Sequence, residues 1–243
     1  MFKLNNKGFA ISGILYSILI LFLLLLVAIL GILGSRKVVL DKTKNDVFNA
    51  LNEETTESDP QNTLCISTNG TVLYDLGSVY SCDLGDGVAR TFYVLEVSGD
   101  NVSLIMNQNL GNTVAWITQE DYEAAGGTQW GSNVDRNVFG PVTANNYLEE
   151  QTSNWKVKAS LPTYDQIYNV NGSTDLTNVL WLRENIGGSS GFDGYWTSSS
   201  YNNYSDRAWG VDRTGSGFAS NLVDNNSSYG IRPVITLNKT NLS

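Results

Sequence analysis

The most constraining feature of the sequence is an apolar run, Phe9–Ser35, that contains no charged residue and no proline. As an α-helix this run would extend roughly 40 Å, whereas the hydrocarbon core of a bilayer is about 30 Å thick. A helix buried in a soluble domain would be shorter and would show a polar face. A cleaved signal peptide has an apolar core of about 7–15 residues before an A-x-A-like site. Leu19–Leu33 is too long and too rich in leucine for that, so the run predicts a retained transmembrane helix.

The apolar run continues into an amphipathic segment, Arg36–Leu51, whose apolar residues fall at helical spacing with charges between them. One helix over residues 9–51 is the economical prediction. Residues 52–63 are acidic and polar and include Pro60, which predicts a linker. Residues 64–243 are numerous enough for one good hydrophobic core, so we expect a single domain there.

The N-terminal segment resembles that of type IV pilins and pseudopilins. The residues that carry the resemblance are Lys7, Gly8 and Phe9, followed by the apolar helix and its amphipathic continuation. The resemblance implies that residues 1–8 are a leader, that a prepilin peptidase cuts after Gly8, and that the new N-terminal Phe9 is methylated. It also implies that the exposed helix packs against other pilin-like subunits.

One position departs from the pilin pattern. Pilins carry a glutamate five residues after the cut, where it pairs with the N-terminal amine of a neighbouring subunit, and this chain has Gly13 there. The departure argues against a major filament subunit. It leaves open a minor pilin and a pilin-like protein that stays in the membrane.

The cysteines decide the predicted orientation of the transmembrane helix. The charges do not decide it, because lysines and arginines flank both ends of the apolar run. The chain has two cysteines, Cys65 and Cys82, both placed early after the helix. A disulfide between them requires an oxidising compartment and contributes about 3 kcal/mol by closing a short loop. Two free thiols are the alternative. We therefore predict a membrane-anchored protein whose soluble domain is exported, to the cell surface or a pilus.

The soluble region is acidic. From Pro60 onward it carries 9 Lys plus Arg against 18 Asp plus Glu. Such a surface repels phosphate backbones and anionic lipid, which argues against nucleic acid as a partner.

Short alternating strands and two helices are predicted within the domain. Thr91–Val97 and Asn101–Asn107 form a hairpin pattern, Val142–Ser153 a first helix, and Thr163 caps a second helix with Gln166 completing a capping box. After Gly194 the pattern changes to strands and turns. The predicted fold class is α+β, with two helices and a twisted antiparallel sheet that closes the domain.

The second half of the domain resembles the C-type-lectin-like fold, in the branch of formylglycine-generating-enzyme-like domains. The resemblance rests on Leu161–Thr163 opening a helix and on strand motifs at Tyr195–Ser199, Ala208–Val211 and Gly230–Val234. It implies a core sheet whose connecting loops form a ligand-binding face. Within these motifs we expect Trp196 and Trp209 to be core aromatics.

Arg232 precedes a proline inside an apolar strand pattern. We expect it to be a buried structural arginine that donates to loop carbonyls, not a catalytic group.

Catalysis and metal binding have little support in the sequence. The chain has no histidine, so the commonest general base and a frequent zinc ligand are missing, and no cysteine follows Cys82. Carboxylates remain, but a hydrolase needs two of them at a defined separation. Calcium remains an alternative, although no fixed ligand spacing is present. The residues concerned are Asp193, Asp206, Asp212 and Asp224, with Asn202, Asn225 and Asn226 as further calcium candidates.

Binding is the better hypothesis. Three loop-rich segments, SSSYNNYSDR, DRTGSGFASN and VDNNSSYG, combine aromatic residues with Ser, Asn, Asp and Gly. Tyrosine supplies rigid contact area with a polar tip, as in antibody loops, although the same small polar residues also dominate plain turns. The predicted contact anchors are Tyr201, Tyr204, Phe218 and Tyr229. The predicted surrounding residues are Asn202, Asn203, Asp206, Asp212, Arg213, Asn221, Asp224, Asn225 and Asn226.

The same loops resemble, in composition, the variable regions that diversity-generating retroelements randomise at adenines. Two functions are left open. In the first, the protein is a surface-displayed adhesin or receptor for a protein or glycan ligand. In the second, it is a minor pseudopilin that helps to assemble a type II secretion system or a type IV pilus or DNA-uptake machine.

Overall fold

The structure is a computed structural model and describes residues 63–184, 186, 192–224 and 228–243. The predicted leader, the long helix and the linker up to residue 62 lie outside these residues, as do Gly8, Phe9, Asn225 and Asn226. Among the described residues, no helix combines the length and the apolar character that a membrane span requires.

Six antiparallel strands form the larger sheet, in the order β1-β2-β3-β4-β10-β5. The predicted hairpin is confirmed as β3 and β4, which turn through Gly99 at a φ of +58°, a conformation that favours glycine. The strands are β1 Cys65–Ser67, β2 Val79–Asp83, β3 Ala89–Ser98, β4 Asn101–Met106, β5 Ala159–Ser160 and β10 Val234–Asn238.

Four strands form the smaller sheet, in the order β8-β7-β6-β9, with β6 and β9 parallel and the other pairs antiparallel. Its strands are β6 Gly194–Ser200, β7 Arg207–Asp212, β8 Phe218–Leu222 and β9 Tyr229–Gly230. The described residues of the three predicted recognition segments lie on this sheet or in the loops that join its strands.

Four short α-helices connect the strands in the described part of the chain: α1 Gln119–Ala124, α2 Val142–Gln151, α3 Tyr164–Tyr168 and α4 Leu180–Arg183. A 3-10 turn, Lys239–Asn241, precedes the C-terminus. The capping box predicted at Thr163 is confirmed, because the Thr163 hydroxyl accepts from the Gln166 amide and the Gln166 side chain accepts from the Thr163 amide, both at 3.0 Å.

The predicted fold class is wrong. Strands make up 34% of the described structure and helices 16%, and the strands form two sheets instead of one closing sheet. The error has a specific cause at Gly230–Val234, which reads as one strand motif in the sequence. The chain in fact leaves the smaller sheet after Gly230 and enters the larger sheet at Val234. Helices α1 and α4, each six residues or fewer, were also missed.

Strand alternation sends side chains to two hydrophobic clusters. Phe92, Leu104 and Trp196 belong to the larger cluster, whereas Ile105 and Tyr195, each next to one of these in sequence, belong to the other. All members of both clusters lie within the compact unit 60–243. A fragment of residues 60–243 therefore contains both clusters, and we expect it to fold by itself.

The predicted disulfide between Cys65 and Cys82 is confirmed, and it joins directly opposed residues of β1 and β2. The C-terminus is attached at the same place, because the Ser67 amide donates to the Ser243 carbonyl and the Ser243 amide donates to the Cys65 carbonyl.

Candidate ligand-binding face

Six partly exposed aromatic rings form a continuous row beside the smaller sheet, which we call the aromatic strip. The strip consists of Tyr164, Tyr168, Tyr201, Tyr204, Trp209 and Phe218. Its members come from α3, from the β6–β7 loop and from β7 and β8, so the strip exists only in the folded chain.

Trp209 lies at the centre of the strip. Its ring centre is 5.0 Å from that of Tyr164, 4.8 Å from that of Tyr201 and 6.0 Å from that of Phe218. Tyr164 also contacts Phe218, at 4.4 Å, and these tilted and edge-on arrangements are favourable for aromatic pairs.

The two ends of the strip extend from this centre. Tyr168 stacks on Tyr164 at 5.8 Å, one helical turn later, and Tyr204 lies 5.4 Å from Tyr201. The Arg207 guanidinium lies 5.5 Å from the centre of the Tyr204 ring and completes that end with a cation–π contact.

The alternation of β7 places Trp209 on this face. Arg207 and Trp209 are partly exposed, while Ala208 and Gly210 are buried on the other side. In the neighbouring strand, Trp209 is opposite Ser220, a small residue that leaves room for the indole ring.

Two hydrogen bonds hold α3 against β6 and so position Tyr164. The Tyr164 amide donates to the Ser199 hydroxyl at 3.0 Å, and the Ser198 amide donates to the Pro162 carbonyl at 2.8 Å. The start of the helix is thereby fixed relative to the sheet that carries Trp209.

The β6–β7 loop is anchored by its buried residue Ser205. The Ser205 hydroxyl donates to the Gln129 carbonyl at 2.7 Å and accepts from the Gly131 amide at 2.9 Å. The Asn137 side chain donates to the Ser205 carbonyl at 3.2 Å. Because the loop is anchored at the residue after Tyr204, Tyr201 and Tyr204 are presented on a preorganised surface.

The tyrosine hydroxyls of the strip remain available for a ligand. Within the described residues, none of the hydroxyls of Tyr164, Tyr168, Tyr201 and Tyr204 has a hydrogen-bond partner. Partial burial, with smaller contributions from Tyr168 and Asp165, raises the pKa of Tyr164 above its ordinary value. Tyr164 therefore stays neutral at physiological pH and can donate a hydrogen bond.

Tyr229, a predicted contact anchor, lies beneath the sheet and not on this face. It is 2% exposed, its ring lies 4.6 Å from that of Trp196, and its hydroxyl accepts from the Asn221 amide at 2.7 Å and donates to Asp212 at 3.2 Å. Burial and the Asp212 carboxylate raise its pKa. Asp212, Asn221 and Tyr229 thus form a supporting network on the opposite side of the smaller sheet.

Burial acts to raise the pKa of Asp212, but hydrogen bonds outweigh it and leave the pKa lowered. They come from the Thr214 side chain and amide, from the Gly215 amide and from Tyr229. Asp212 therefore stays ionised and holds the turn between β7 and β8.

The other predicted surrounding residues within the described part of the chain lie in the loops and turns that join the strands of the smaller sheet. Asn202 and Asn203 are exposed at the tip of the β6–β7 loop, and Arg213 and Asp224 are exposed in turns. Asp206 is partly buried, and its Oδ1 oxygen has no hydrogen-bond partner.

No metal centre is visible in the part of the chain that the structure describes, since no three His, Cys, Asp or Glu residues are grouped there in a way that suits an ion. Two of the calcium candidates, Asn225 and Asn226, lie outside that part.

Sequence reasoning missed three members of the strip. Trp196 and Trp209 were both expected in the core. The prediction is confirmed for Trp196, which is fully buried, and is wrong for Trp209, which is partly exposed. Tyr164 and Tyr168 were not considered, although two tyrosines four residues apart after an N-cap share one face of a helix.

In comparisons with known proteins, no protein-family model matches the chain and no curated protein matches it. The resemblances to pilins and to C-type-lectin-like domains rest on the motifs quoted above and remain predictions.

Proposed function

We propose that this protein is a surface-displayed binding protein, an adhesin or receptor, whose pilin-like N-terminal region anchors it in the membrane. Its exported domain binds a ligand through the aromatic strip. The observation that carries the proposal is the row of six interacting aromatic rings. These rings remain partly exposed in the folded domain.

Two further features support binding. The rings are held by the Ser205 and Tyr164 contacts described above, so little order has to be acquired when a ligand arrives. The strip also combines apolar area with hydroxyl groups, a combination that tyrosine supplies in antibody recognition loops.

A binding screen with the 60–243 fragment tests this function. The probes are a glycan array and a panel of intact bacterial and animal cells, and we expect saturable binding to at least one of them. Replacing both Tyr201 and Tyr204 by alanine should weaken that binding at least about tenfold, as expected for central interface aromatics.

Leu76→Ala provides the control. Leu76 is 46% exposed, precedes β2 of the larger sheet and is not a member of the strip, so the variant should bind as the wild type does. Absence of binding to every probe would count against a receptor and favour the alternative, a minor pseudopilin that contacts only its own assembly partners. Full binding by the Tyr201 and Tyr204 variant would move the site elsewhere.

A further inference from the structure

The rings of the aromatic strip cover one another. Tyr164 contacts Tyr168, Trp209 and Phe218, and Trp209 contacts Tyr164, Tyr201 and Phe218. A sugar ring stacks on an open aromatic face, whereas Tyr164 and Trp209 each have three ring neighbours within 6.0 Å. What the strip offers instead is a set of ring edges and hydroxyl groups on a rigid base.

Tyrosine, tryptophan and arginine are the residue types that dominate binding energy between proteins. The strip has four tyrosines and one tryptophan, with the guanidinium of Arg207 at one end. Arg207 also donates to the Ser220 carbonyl at 3.3 Å, so its side chain is already ordered. Ordered side chains of these types are typical of the centre of a protein–protein interface.

Besides Arg207, three carboxylates without an ion-pair partner lie beside strip residues or in the chain that packs against them. Asp165 follows Tyr164, and Asp206 precedes Arg207. Asp224 lies near Asp206, because the amide of the preceding residue, Val223, donates to the Asp206 carbonyl at 3.0 Å. The described residues contain one ion pair, between Arg90 and Asp86, so none of these three carboxylates has a cation within salt-bridge distance.

This local pattern agrees with the charge of the whole domain, which has 18 acidic against 9 basic residues from Pro60 onward. The Asp206 carboxylate adds to it, since neither an ion pair nor a hydrogen bond to its Oδ1 oxygen compensates its charge within the described residues. Complementary charge around an interface speeds association and selects the partner.

We infer that the ligand of the aromatic strip is a folded protein that places an apolar contact surface on Tyr164, Trp209 and Tyr201 and a rim of lysine or arginine opposite Asp165, Asp206 and Asp224. This inference rests on the proposed function and names the class of ligand that the strip binds.

Enzymatic treatment of the cells that bind the 60–243 fragment separates a protein ligand from a glycan. We expect mild protease treatment to reduce binding of the fluorescent fragment at least about tenfold, and a mixture of glycosidases to change it less than about twofold. Binding that resists the protease and disappears after the glycosidases overturns the inference and leaves the proposed binding function standing. No binding to any cell or glycan overturns both.

Substitutions at the centre of the strip test where the protein sits. Tyr164→Ala and Trp209→Ala should each weaken binding about tenfold or more, with Leu76→Ala unchanged. If thermal unfolding shows that one of these two variants does not fold, Tyr168→Ala, at a ring that is 36% exposed, takes its place. Unchanged affinity in all folded strip variants overturns the inference.

Charge reversal tests the basic rim. The double variant Asp165→Lys and Asp224→Lys should slow association with the binding cells about tenfold at low salt. Because salt screens charges, roughly 0.5 M NaCl should abolish that difference. The control is Asp75→Lys with Asp100→Lys, which changes the net charge equally on the larger-sheet side of the domain. Equal effects of the two double variants overturn the basic rim.

Discussion

The guanidinium carbon of Arg232 lies 5.2 Å from the centre of the Tyr195 ring, and both side chains are fully buried. Within the described part of the chain, no carboxylate forms an ion pair with this cation. Its donors reach four backbone carbonyls instead, those of Met106, Asn107, Trp181 and Leu182, at 2.5 to 2.9 Å. Arg232 therefore connects the end of β4 to helix α4 at the point where the chain crosses from the smaller to the larger sheet, as the sequence predicts for a structural arginine.

Replacement of Arg232 by lysine should be severely destabilising. A lysine cannot reproduce the planar fork, so at least two buried carbonyls lose their donor, at a cost of about 3 kcal/mol or more in the free energy of unfolding. Urea unfolding of the 60–243 fragment measures the loss. Arg136→Lys, at an exposed position, should change stability by less than about 0.5 kcal/mol. A loss below about 1 kcal/mol for Arg232→Lys would contradict the role assigned to the four carbonyls.

The disulfide should contribute measurably to stability. Cys65 and Cys82 are 17 positions apart, and closing a loop of that size removes entropy from the unfolded chain worth about 3 kcal/mol. Cys65→Ala with Cys82→Ala should therefore lower the melting temperature of the fragment by about 6–12 °C. Calorimetry of the oxidised wild type, the reduced wild type and the double variant checks this. An unchanged melting temperature on reduction would show that the cross-link does not stabilise the native state.

The features that sequence reasoning predicted correctly are local. The Thr163 capping box, the turn at Gly99 and the loop closed by Cys65 and Cys82 depend on residues close together in the chain, so their chemistry can be read directly. Arg232 was predictable because a charge before proline inside an apolar strand has few acceptors except carbonyls.

The strip was not predictable because it depends on which face each strand turns to the core. Trp196 and Trp209 have similar neighbours in sequence, yet Trp196 donates to the buried Val114 carbonyl while Trp209 faces outward. Tyr201 and Tyr229 likewise sit in similar polar loops, and only the parallel pairing of β9 with β6 carries Tyr229 inside. Long-range sheet topology determined both outcomes.

Acid should weaken the Asp86–Arg90 pair in a defined pH range. The Arg90 side chain, which donates to both carboxylate oxygens at 2.9 and 2.7 Å, lowers the pKa of Asp86 to about 2, with a smaller contribution from the Val88 amide. The unfolded value is about 3.9, so the pair stabilises the native state above that pH and loses its contribution as the pH falls towards 2. Asp86→Asn should reduce stability at pH 6 and have a diminishing effect at lower pH.

The matched control for this pH effect is Asp75→Asn, at an exposed aspartate outside the Asp86–Arg90 pair. An NMR titration of the Asp86 carboxyl carbon gives its pKa directly. A midpoint near 4 would show that the pair is not formed in solution.

Processing after Gly8 is the prediction that most directly tests the pilin-like region. Full-length protein made in a cell with a prepilin peptidase should begin at Phe9, as read by mass spectrometry of its N-terminus. Gly8→Val should block the cut, while Gly13→Ala should leave it unchanged. A mature product that keeps residues 1–8 in such a cell would argue against the resemblance. Because pilins carry glutamate at the position of Gly13, Gly13→Glu should increase incorporation into filaments if the chain enters them.

Variation in the β6–β7 loop should be limited by backbone conformation as well as by exposure. Asn202 and Asn203 are both exposed, but Asn203 has a φ of +62°, a region in which asparagine and glycine are tolerated and most other residues are strained. Asn202→Ser and Asn203→Gly should therefore leave the free energy of unfolding almost unchanged, whereas Asn203→Ser should cost about 1 kcal/mol. Tyr229→Ser should cost about 3 kcal/mol or more, because it leaves a cavity against Trp196.

If a retroelement diversifies this gene, sequences of its 3′ end from independent isolates should vary at Asn202 and preserve Tyr229. Variation at Tyr229 as frequent as at Asn202 would rule out a diversified face built on this sheet.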